Sequence, residues 1–124
     1  MTLGSVIDPS MQSSAATVPS DADVADLSAI FAALSDPTRL RIIYSIIQCE
    51  LSVGAIAAQL DLSEASVSQH LRRLRLLRVV RRRQVGRRRL YQLDDEHVAT
   101  LLAVCIEHVR DRQSGLPSHG SFVS

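Results

Sequence analysis

The 124-residue sequence predicts a mainly α-helical domain that carries one small β-hairpin. Apolar residues recur at steps of three and four along most of the chain, and Ser or Asp stands where each helix would begin. Two β-prone runs then flank a single glycine, Gly86. The resulting order of three or four helices, a hairpin and a final helix predicts a winged helix-turn-helix.

Capping residues set the expected helix boundaries. The first helix runs from about Asp21 to Leu34, Asp36-Pro37 opens the second, and Ser52 and Ser63 cap the third and fourth. The residues expected to face the core are Val24, Leu27, Ile30, Phe31 and Leu34 on the first helix, Leu40, Ile43 and Ile47 on the second, Val53, Ile56 and Leu60 on the third, and Val67, Leu71 and Leu74 on the fourth.

The hairpin is predicted from the runs Val79–Gln84 and Arg88–Leu93, joined by a Val85-Gly86 turn in which glycine supplies a positive φ. A last helix is expected over about residues 94–112. Its apolar stripe, which we expect to pack in an interface, comprises Val98, Leu101, Leu102, Cys105 and Val109.

The length indicates one domain. Residues 1–20 are rich in Ser, Pro, Ala and Thr and predict a disordered arm, residues 21–112 form the winged helix-turn-helix, and residues 113–124 form a flexible tail. About 95 foldable residues make a small core, so we expect a homodimer whose interface buries more of it.

The basic residues are concentrated in one zone. All 14 are arginines, ten of them between Arg72 and Arg89, whereas residues 1–38 hold five aspartates and no basic residue. A solvated charged face is the alternative, but no Glu or Lys is interleaved between these arginines. The zone therefore predicts a surface that binds a polyanion.

The helix-turn-helix geometry indicates that this polyanion is double-stranded DNA, read by the fourth helix in the major groove. Small and amide side chains at the start of that helix allow close approach to base edges. The expected DNA contacts are Ser66, Ser68, Gln69, His70, Arg72 and Arg73 on the helix and Arg82, Arg87 and Arg88 on the hairpin. Arg81, Arg83 and Arg89 lie on the same hairpin, and alternation along strands lets about half of these arginines reach one duplex. We expect His70 to pack or touch phosphate rather than bind metal.

The last helix holds a candidate metal site made of Asp95, His97, His108 and Asp111. The two histidines share one face but lie roughly 16 Å apart along the helix, so one ion cannot contact both within one chain. Antiparallel pairing with a second copy would bring Asp95 and His97 of one chain opposite His108 and Asp111 of the other. Such a ligand set suits Zn(II). The alternative is an exposed helix face with Asp95 as a simple N-cap, and spacing alone does not decide between them.

Two cysteines, Cys49 and Cys105, do not make a disulfide framework. We expect Cys105 to be a small buried hydrophobe and Cys49 to be a weak metal candidate. No apolar targeting or membrane-spanning run is present in the sequence, which predicts a cytoplasmic protein with no membrane partner. No nucleophile–base pair or phosphate loop is evident, so we do not expect an enzyme.

Four runs, at residues 31–42, 50–57, 67–75 and 86–93, resemble the ArsR/SmtB family of bacterial metal-responsive repressors. The most specific motifs are Asp36-Pro37-Thr38-Arg39 and Val67-Ser68-Gln69-His70-Leu71, and the resemblance covers about residues 24–112. It implies a homodimer that binds an imperfect palindromic operator and releases it on binding metal. It also implies a link from His108 to the backbone around Gln69, and regulation of a metal exporter or sequestering protein.

The resemblance also distinguishes between the family's two kinds of metal site. The thiolate site resembles Glu-Leu-Cys-Val-Cys, but this chain has Ser52 and Gly54 at the thiol positions, so that site is expected to be absent. The site on the last helix resembles Asp-x-His followed by His-x-x-His or His-x-x-Glu, and this chain matches it except that Asp111 stands in the fourth position. Zn(II) is the implied metal. Ni(II) or Co(II), with a further ligand such as His119, and thiol oxidation at Cys105 or Cys49 remain alternatives.

Overall fold

The computed structural model describes residues 18–115. Within that range the elements are α1 (Asp21–Leu34), α2 (Pro37–Ile46), α3 (Val53–Leu60), α4 (Glu64–Leu76), β1 (Val80–Val85), β2 (Arg88–Leu93) and α5 (Glu96–Gln113). The predicted disordered arm lies outside the described residues except for 18–20. Most of the predicted tail, including His119, lies outside them as well.

Local capping explains why the helices begin where they do. Asp36, Ser52 and Ser63 each accept a hydrogen bond from a backbone N–H in the first turn of the helix that follows, as the sequence predicts. The cap of α1 is Ser20, whose side chain and that of Asp23 form a reciprocal capping box. The sequence does not predict this cap, because Ser20 belongs to the serine-rich run that predicts a disordered arm.

The core forms where α2, α3 and α4 meet the hairpin. Its fully buried side chains include Ile42, Ile43 and Ile46 of α2, Ile56 of α3, Val67, Leu71 and Leu74 of α4, and Val79. The prediction for α4 is confirmed at all three positions. On α2, the fully buried Ile42 and Ile46 were not predicted, whereas Leu40 and Ile47 are only partly buried against the core.

The prediction for α1 is wrong at three of its five positions. Val24, Leu27 and Phe31 are each about half exposed, and only the C-terminal end of the helix, at Ala33 and Leu34, is buried. The physical reason is that α1 packs mainly against α2 among the described elements, so its N-terminal half extends beyond the core that these elements form. Helical periodicity identifies the apolar face but not the body that covers it.

The hairpin is an antiparallel pair in which Val80 lies opposite Leu93 and Val85 lies opposite Arg88. Gly86 has a φ of +61°, as the predicted turn requires, although the turn falls at residues 86–87 rather than 85–86. A β-bridge adds Leu51 to the other edge of β2: its N–H donates to the Tyr91 carbonyl oxygen at 3.1 Å and its carbonyl oxygen accepts from the Tyr91 N–H at 2.8 Å. The wing is therefore tied to the loop between α2 and α3.

Candidate nucleic-acid and metal-binding surfaces

The turn between α3 and α4 fixes the direction of α4. Asp61 takes a left-handed conformation with a φ of 57°, and the Leu62 N–H donates to the Ala57 carbonyl oxygen at 2.9 Å, which closes the end of α3. Ser63 then caps α4. Because Val67 and Leu71 point into the core, the opposite side of α4 is left open to solvent.

That open side holds the residues predicted to contact DNA on this helix. Ser68, Gln69, Arg72 and Arg73 are exposed, whereas Ser66 and His70 are half-buried. The arrangement presents short and amide side chains toward the helix N-terminus and guanidinium groups further along. This order suits base-edge contacts followed by phosphate contacts.

His70 lies near the Asp36 carboxylate, and within residues 18–115 no third His, Cys, Asp or Glu joins them to form a metal site. The backbone N–H of Arg39 holds the pKa of the Asp36 carboxyl below its usual range, and the neighbouring His70 contributes to that lowering. The expected packing or phosphate-contacting role of His70 stays a prediction.

The arginines of the strands fall on two faces of the hairpin, because alternate residues of a strand point in opposite directions. Val80 and Tyr91 are buried, and the face that they share carries Arg82 and Arg89 further out. The other face carries Arg81, Arg83 and Arg88. Arg87 lies in the turn.

Two arginines of the second face are held by partners within the chain. Arg83 makes a two-pronged ion pair with Glu50, with Nε to Oε2 at 2.6 Å and Nη2 to Oε1 at 2.7 Å. This guanidinium holds the pKa of the Glu50 carboxyl below its usual range. With the Gln92 amide oriented so that its oxygen faces Arg81, that oxygen accepts two hydrogen bonds from Arg81 at 2.8 Å. Neither partner was predicted, since each lies far away in sequence.

At the start of α5, Asp95 is the N-cap: its Oδ1 accepts from the His97 backbone N–H at 2.8 Å. Its Oδ2 lies 3.2 Å from His97 Nδ1. These contacts from His97, the backbone bond first, hold the pKa of the Asp95 carboxyl below its usual range. The capping role that the sequence left open is thus present. The His97 side chain is 93% exposed, and its Nε2 faces away from this pairing.

His97 and His108 lie on the same exposed side of α5, about 20° apart around its axis. The apolar Leu101 and Val104 lie between them on that side and are exposed as well. Within residues 18–115 of one chain, no three His, Cys, Asp or Glu side chains come together as a metal site. Asp111 is half-buried one turn beyond His108.

The predicted apolar stripe of α5 divides between two surroundings. Leu102 is buried and Val98 packs against the core, whereas Leu101 and Val109 are exposed. Within a single chain both Cys105 and Cys49 are exposed free thiols, so the expected burial of Cys105 in an interface stays a prediction. Cys105 lies at an angle between the buried and exposed sides of the helix, and no other element among residues 18–115 covers it.

Known proteins share this fold and, in particular, its DNA-reading half, which comprises α2, α3, α4 and the start of the hairpin. A model of the bacterial regulatory proteins of the arsR family matches residues 36–82. The HTH-type transcriptional regulator KmtR of Mycobacterium tuberculosis is 37% identical over 90 residues, which are 73% of this chain and 69% of KmtR. This chain belongs to the ArsR family.

Two further relatives extend the comparison of this ArsR-family protein. The cadmium resistance transcriptional regulatory protein CadC homolog of Staphylococcus aureus is 39% identical over 69% of this chain and 72% of its own length. Mb0332 of Mycobacterium bovis, described as a homodimeric winged helix-turn-helix DNA-binding domain, superposes with a TM-score of 0.73 at 27% identity, covering 78% of this chain and 93% of that chain. The predicted fold is confirmed.

The matched relatives are transcriptional regulators rather than enzymes, so this ArsR-family protein is a DNA-binding transcriptional regulator. The matched family model runs from the cap of α2 into β1 and ends before α5. It therefore covers the DNA-reading half and leaves the candidate metal ligands to be argued from their own geometry. None of the helices in residues 18–115 combines the length and apolar character that crossing a membrane requires.

Proposed function

We propose that this ArsR-family protein is a zinc-responsive repressor: a homodimer binds a palindromic operator without metal and releases it when Zn(II) binds between the α5 helices of two protomers. One observation carries the proposal. His97 and His108 lie at opposite ends of a single exposed face of α5, separated by the exposed apolar side chains of Leu101 and Val104. Two histidines flanking an apolar seam are what a self-pairing helix needs to form two equivalent sites.

Exposed apolar surface on α1 and α5 supports the homodimer. Val24, Leu27 and Phe31 of α1 are about half exposed, and Val104 of α5 is 61% exposed. A monomer that leaves this much apolar side chain in water gains free energy by covering it with a second copy. Such a pairing would also cover Cys105. The homodimeric state of Mb0332 agrees with this proposal.

The donor set fits Zn(II) when the two protomers are taken together. Asp95 and His97 of one chain and His108 and Asp111 of the other supply two imidazoles and two carboxylates, a set that zinc accepts in a closed site. Asp95 Oδ2 lies 3.2 Å from His97 Nδ1, so an ion that binds both of these atoms would replace the present contact between them. When bound, Zn(II) would supply a fixed cross-link between the two helices. Ni(II) and Co(II) favour sites with more ligands.

A change in α5 can reach the DNA-reading half through two connections in the chain. Only Asp94 and Asp95 separate β2 from α5, so the wing and the helix share a short, direct link. The Asp94 N–H also donates to the Val79 carbonyl oxygen at 3.0 Å, just before β1. The described part of one chain has no hydrogen bond between His108 and the backbone around Gln69, so the link that the family resemblance implies stays a prediction. A coupling free energy of about 1–3 kcal/mol between metal and DNA would suffice for release.

Metal titration of DNA-bound protein tests the proposal. We expect Zn(II) to release a duplex selected by the unmodified protein from random-sequence duplexes, and a chelator to restore binding. His97→Ala and His108→Ala should each keep DNA bound at zinc concentrations that release the unmodified protein. Arg110→Ala is the matched control, because it removes an exposed side chain of the same helix on the side away from His97 and His108. Unchanged zinc release in both α5 variants would overturn the proposal.

The cellular setting follows from the same function. A repressor acts where the chromosome lies, so we propose a cytoplasmic location. The regulated gene on this proposal encodes a metal exporter or a metal-sequestering protein.

A further inference from the structure

The ion pair between Glu50 and Arg83 differs from the other polar contacts of the wing. It joins side chains 33 residues apart and satisfies both carboxylate oxygens. Among residues 18–115 it is the only arginine–carboxylate pair within 4.0 Å. A two-pronged pair of this kind fixes the plane of the guanidinium as well as its position, whereas an ordinary surface pair fixes neither.

Glu50 is itself held in place by the backbone. The next residue, Leu51, forms the two-bond bridge to Tyr91 of β2, and Tyr91 is buried in the core. The Glu50 side chain is 21% exposed against 59% for Arg83, so the carboxylate is the embedded partner and the arginine reaches toward it. The wing is thus attached to the α2–α3 loop on its edge through Leu51 and on one face through Arg83.

The attached face is the one opposite Arg82. Arg83 and its neighbour Arg81, which is bonded to Gln92, point to one side of the hairpin, and Arg82 points to the side that continues from the buried Val80. Since Val80 of β1 packs in the same core cluster as Val67 and Leu71 of α4, Arg82 lies toward the side of the wing that faces α4. Its guanidinium, unlike that of Arg83, makes no hydrogen bond in residues 18–115.

We propose that Glu50 is a positioning residue for DNA binding: by holding Arg83 it sets the angle of the wing, so that Arg82 faces the duplex and Arg83 is not a phosphate contact. This inference rests on the DNA-binding role of α4 and the wing. On this inference the arginine zone contains arginines with two roles, one that holds the wing in place and one that neutralises phosphate. The sequence does not distinguish them because the side chains are chemically the same. Counting wing arginines from the sequence therefore overestimates the number of phosphates bound.

The neighbouring arginines 82 and 83 provide a matched pair for the test. Binding of the metal-free, full-length protein to a labelled duplex selected by the unmodified protein is measured over a range of salt concentrations. Loss of one phosphate contact reduces the slope of log affinity against log salt by about 0.9. In a homodimer each substitution removes two such contacts, so we expect Arg82→Ala to reduce the slope by about 1.8. Because Arg83 acts on DNA only through Arg82, adding Arg83→Ala to that variant should reduce the slope no further.

Affinity then tests the role of Glu50. Glu50→Ala and Arg83→Ala should each weaken binding by about tenfold, because each removes one half of the pair that orients Arg82. The Glu50→Ala, Arg83→Ala double variant should bind no more weakly than either single variant. Exchanging the two residues, as Glu50→Arg with Arg83→Glu, should restore affinity to within about twofold of the unmodified protein. The thermal midpoint of each variant shows whether weaker binding comes from a repositioned wing or from loss of the fold. If a single variant unfolds, the affinity of the exchanged pair still tests the role of Glu50.

Two results would overturn this inference. One is a salt slope that falls further in the Arg82→Ala, Arg83→Ala double variant than in Arg82→Ala alone, and the other is tighter binding by Glu50→Ala, since both would mean that Arg83 contacts phosphate and Glu50 competes for it. Failure of the DNA-binding surface itself is recognised differently: Arg72→Ala on α4 and Arg82→Ala would then both leave affinity and slope unchanged.

Discussion

The hydroxyl of Tyr44 on α2 donates a hydrogen bond to the carbonyl oxygen of Leu102 on α5 at 3.1 Å, across 58 residues of sequence. Leu102 is also the buried side chain of α5. One residue of α5 therefore combines an apolar contact with the core and a polar contact with α2. Because α5 is long and mostly exposed, these two contacts of Leu102 fix the position of the helix against the DNA-reading half.

We expect Tyr44→Phe to weaken that attachment while keeping the ring in place. Loss of a single partly buried hydrogen bond should lower the free energy of unfolding by about 1 kcal/mol, measured by urea denaturation. If α5 communicates with α2 through this bond, zinc should release less DNA from the variant than from the unmodified protein. Tyr91→Phe is the control, since its hydroxyl makes no hydrogen bond within the described residues. Equal stability of Tyr44→Phe and the unmodified protein would contradict this prediction.

The two carboxylate oxygens of Asp95 make different contacts, Oδ1 with the His97 backbone N–H and Oδ2 with His97 Nδ1. Two substitutions separate the capping role from the proposed role as a metal ligand. Asn is as good an N-cap as Asp, whereas Ala cannot cap. We expect Asp95→Asn to retain the thermal midpoint of the metal-free protein and Asp95→Ala to lower it. Both variants should bind Zn(II) more weakly, measured by competition with a chromophoric chelator. If Asp95→Asn binds zinc as tightly as the unmodified protein, the Asp95 carboxylate is a cap and not a ligand.

How far the sequence predicts this structure depends on the range of the interactions. Helix starts at Asp36, Ser52 and Ser63 are predictable because a cap and its partner lie three residues apart. The partners Glu50 and Arg83 are not, because nothing in the spacing of 33 residues brings a loop carboxylate to one strand arginine rather than to its neighbours. The proposed α5 ligands are intermediate, since helical spacing places both histidines on one face, but on this proposal the opposite half of each site belongs to another chain.

Acid should destabilise the metal-free protein through carboxylates whose pKa is lowered by folding. The Arg39 backbone N–H lowers the pKa of Asp36 and Arg83 lowers that of Glu50, from ordinary values of 3.8 and 4.5. A depressed pKa contributes stability that is fully present above the unfolded value and is lost as pH falls through the folded value. We therefore expect the urea midpoint to be insensitive to these groups above about pH 5.5 and to decline below about pH 4.5.

Asp36→Asn tests the share of that acid sensitivity that belongs to the cap of α2. Asn keeps the capping bond and cannot titrate, so the variant should show a shallower decline of the urea midpoint below about pH 4.5. Asp26→Asn, on the exposed side of α1, is the matched control and should follow the unmodified protein. A parallel decline in Asp36→Asn would show that other carboxylates account for the loss.

Arg78 is a non-glycine residue in the left-handed region, with a φ of 58°, just after the end of α4. A side chain there costs about 1 kcal/mol, and glycine removes that cost while adding flexibility to the unfolded chain. We expect Arg78→Gly to raise the free energy of unfolding by about 0.5 kcal/mol, measured by urea denaturation at low salt. Arg75→Gly, inside the last turn of α4, should instead lower it by about 1 kcal/mol, because glycine is unfavourable within a helix. Opposite signs at two arginines three residues apart would separate the backbone effect from the loss of charge, whereas two losses of similar size would show that charge or packing outweighs the strain.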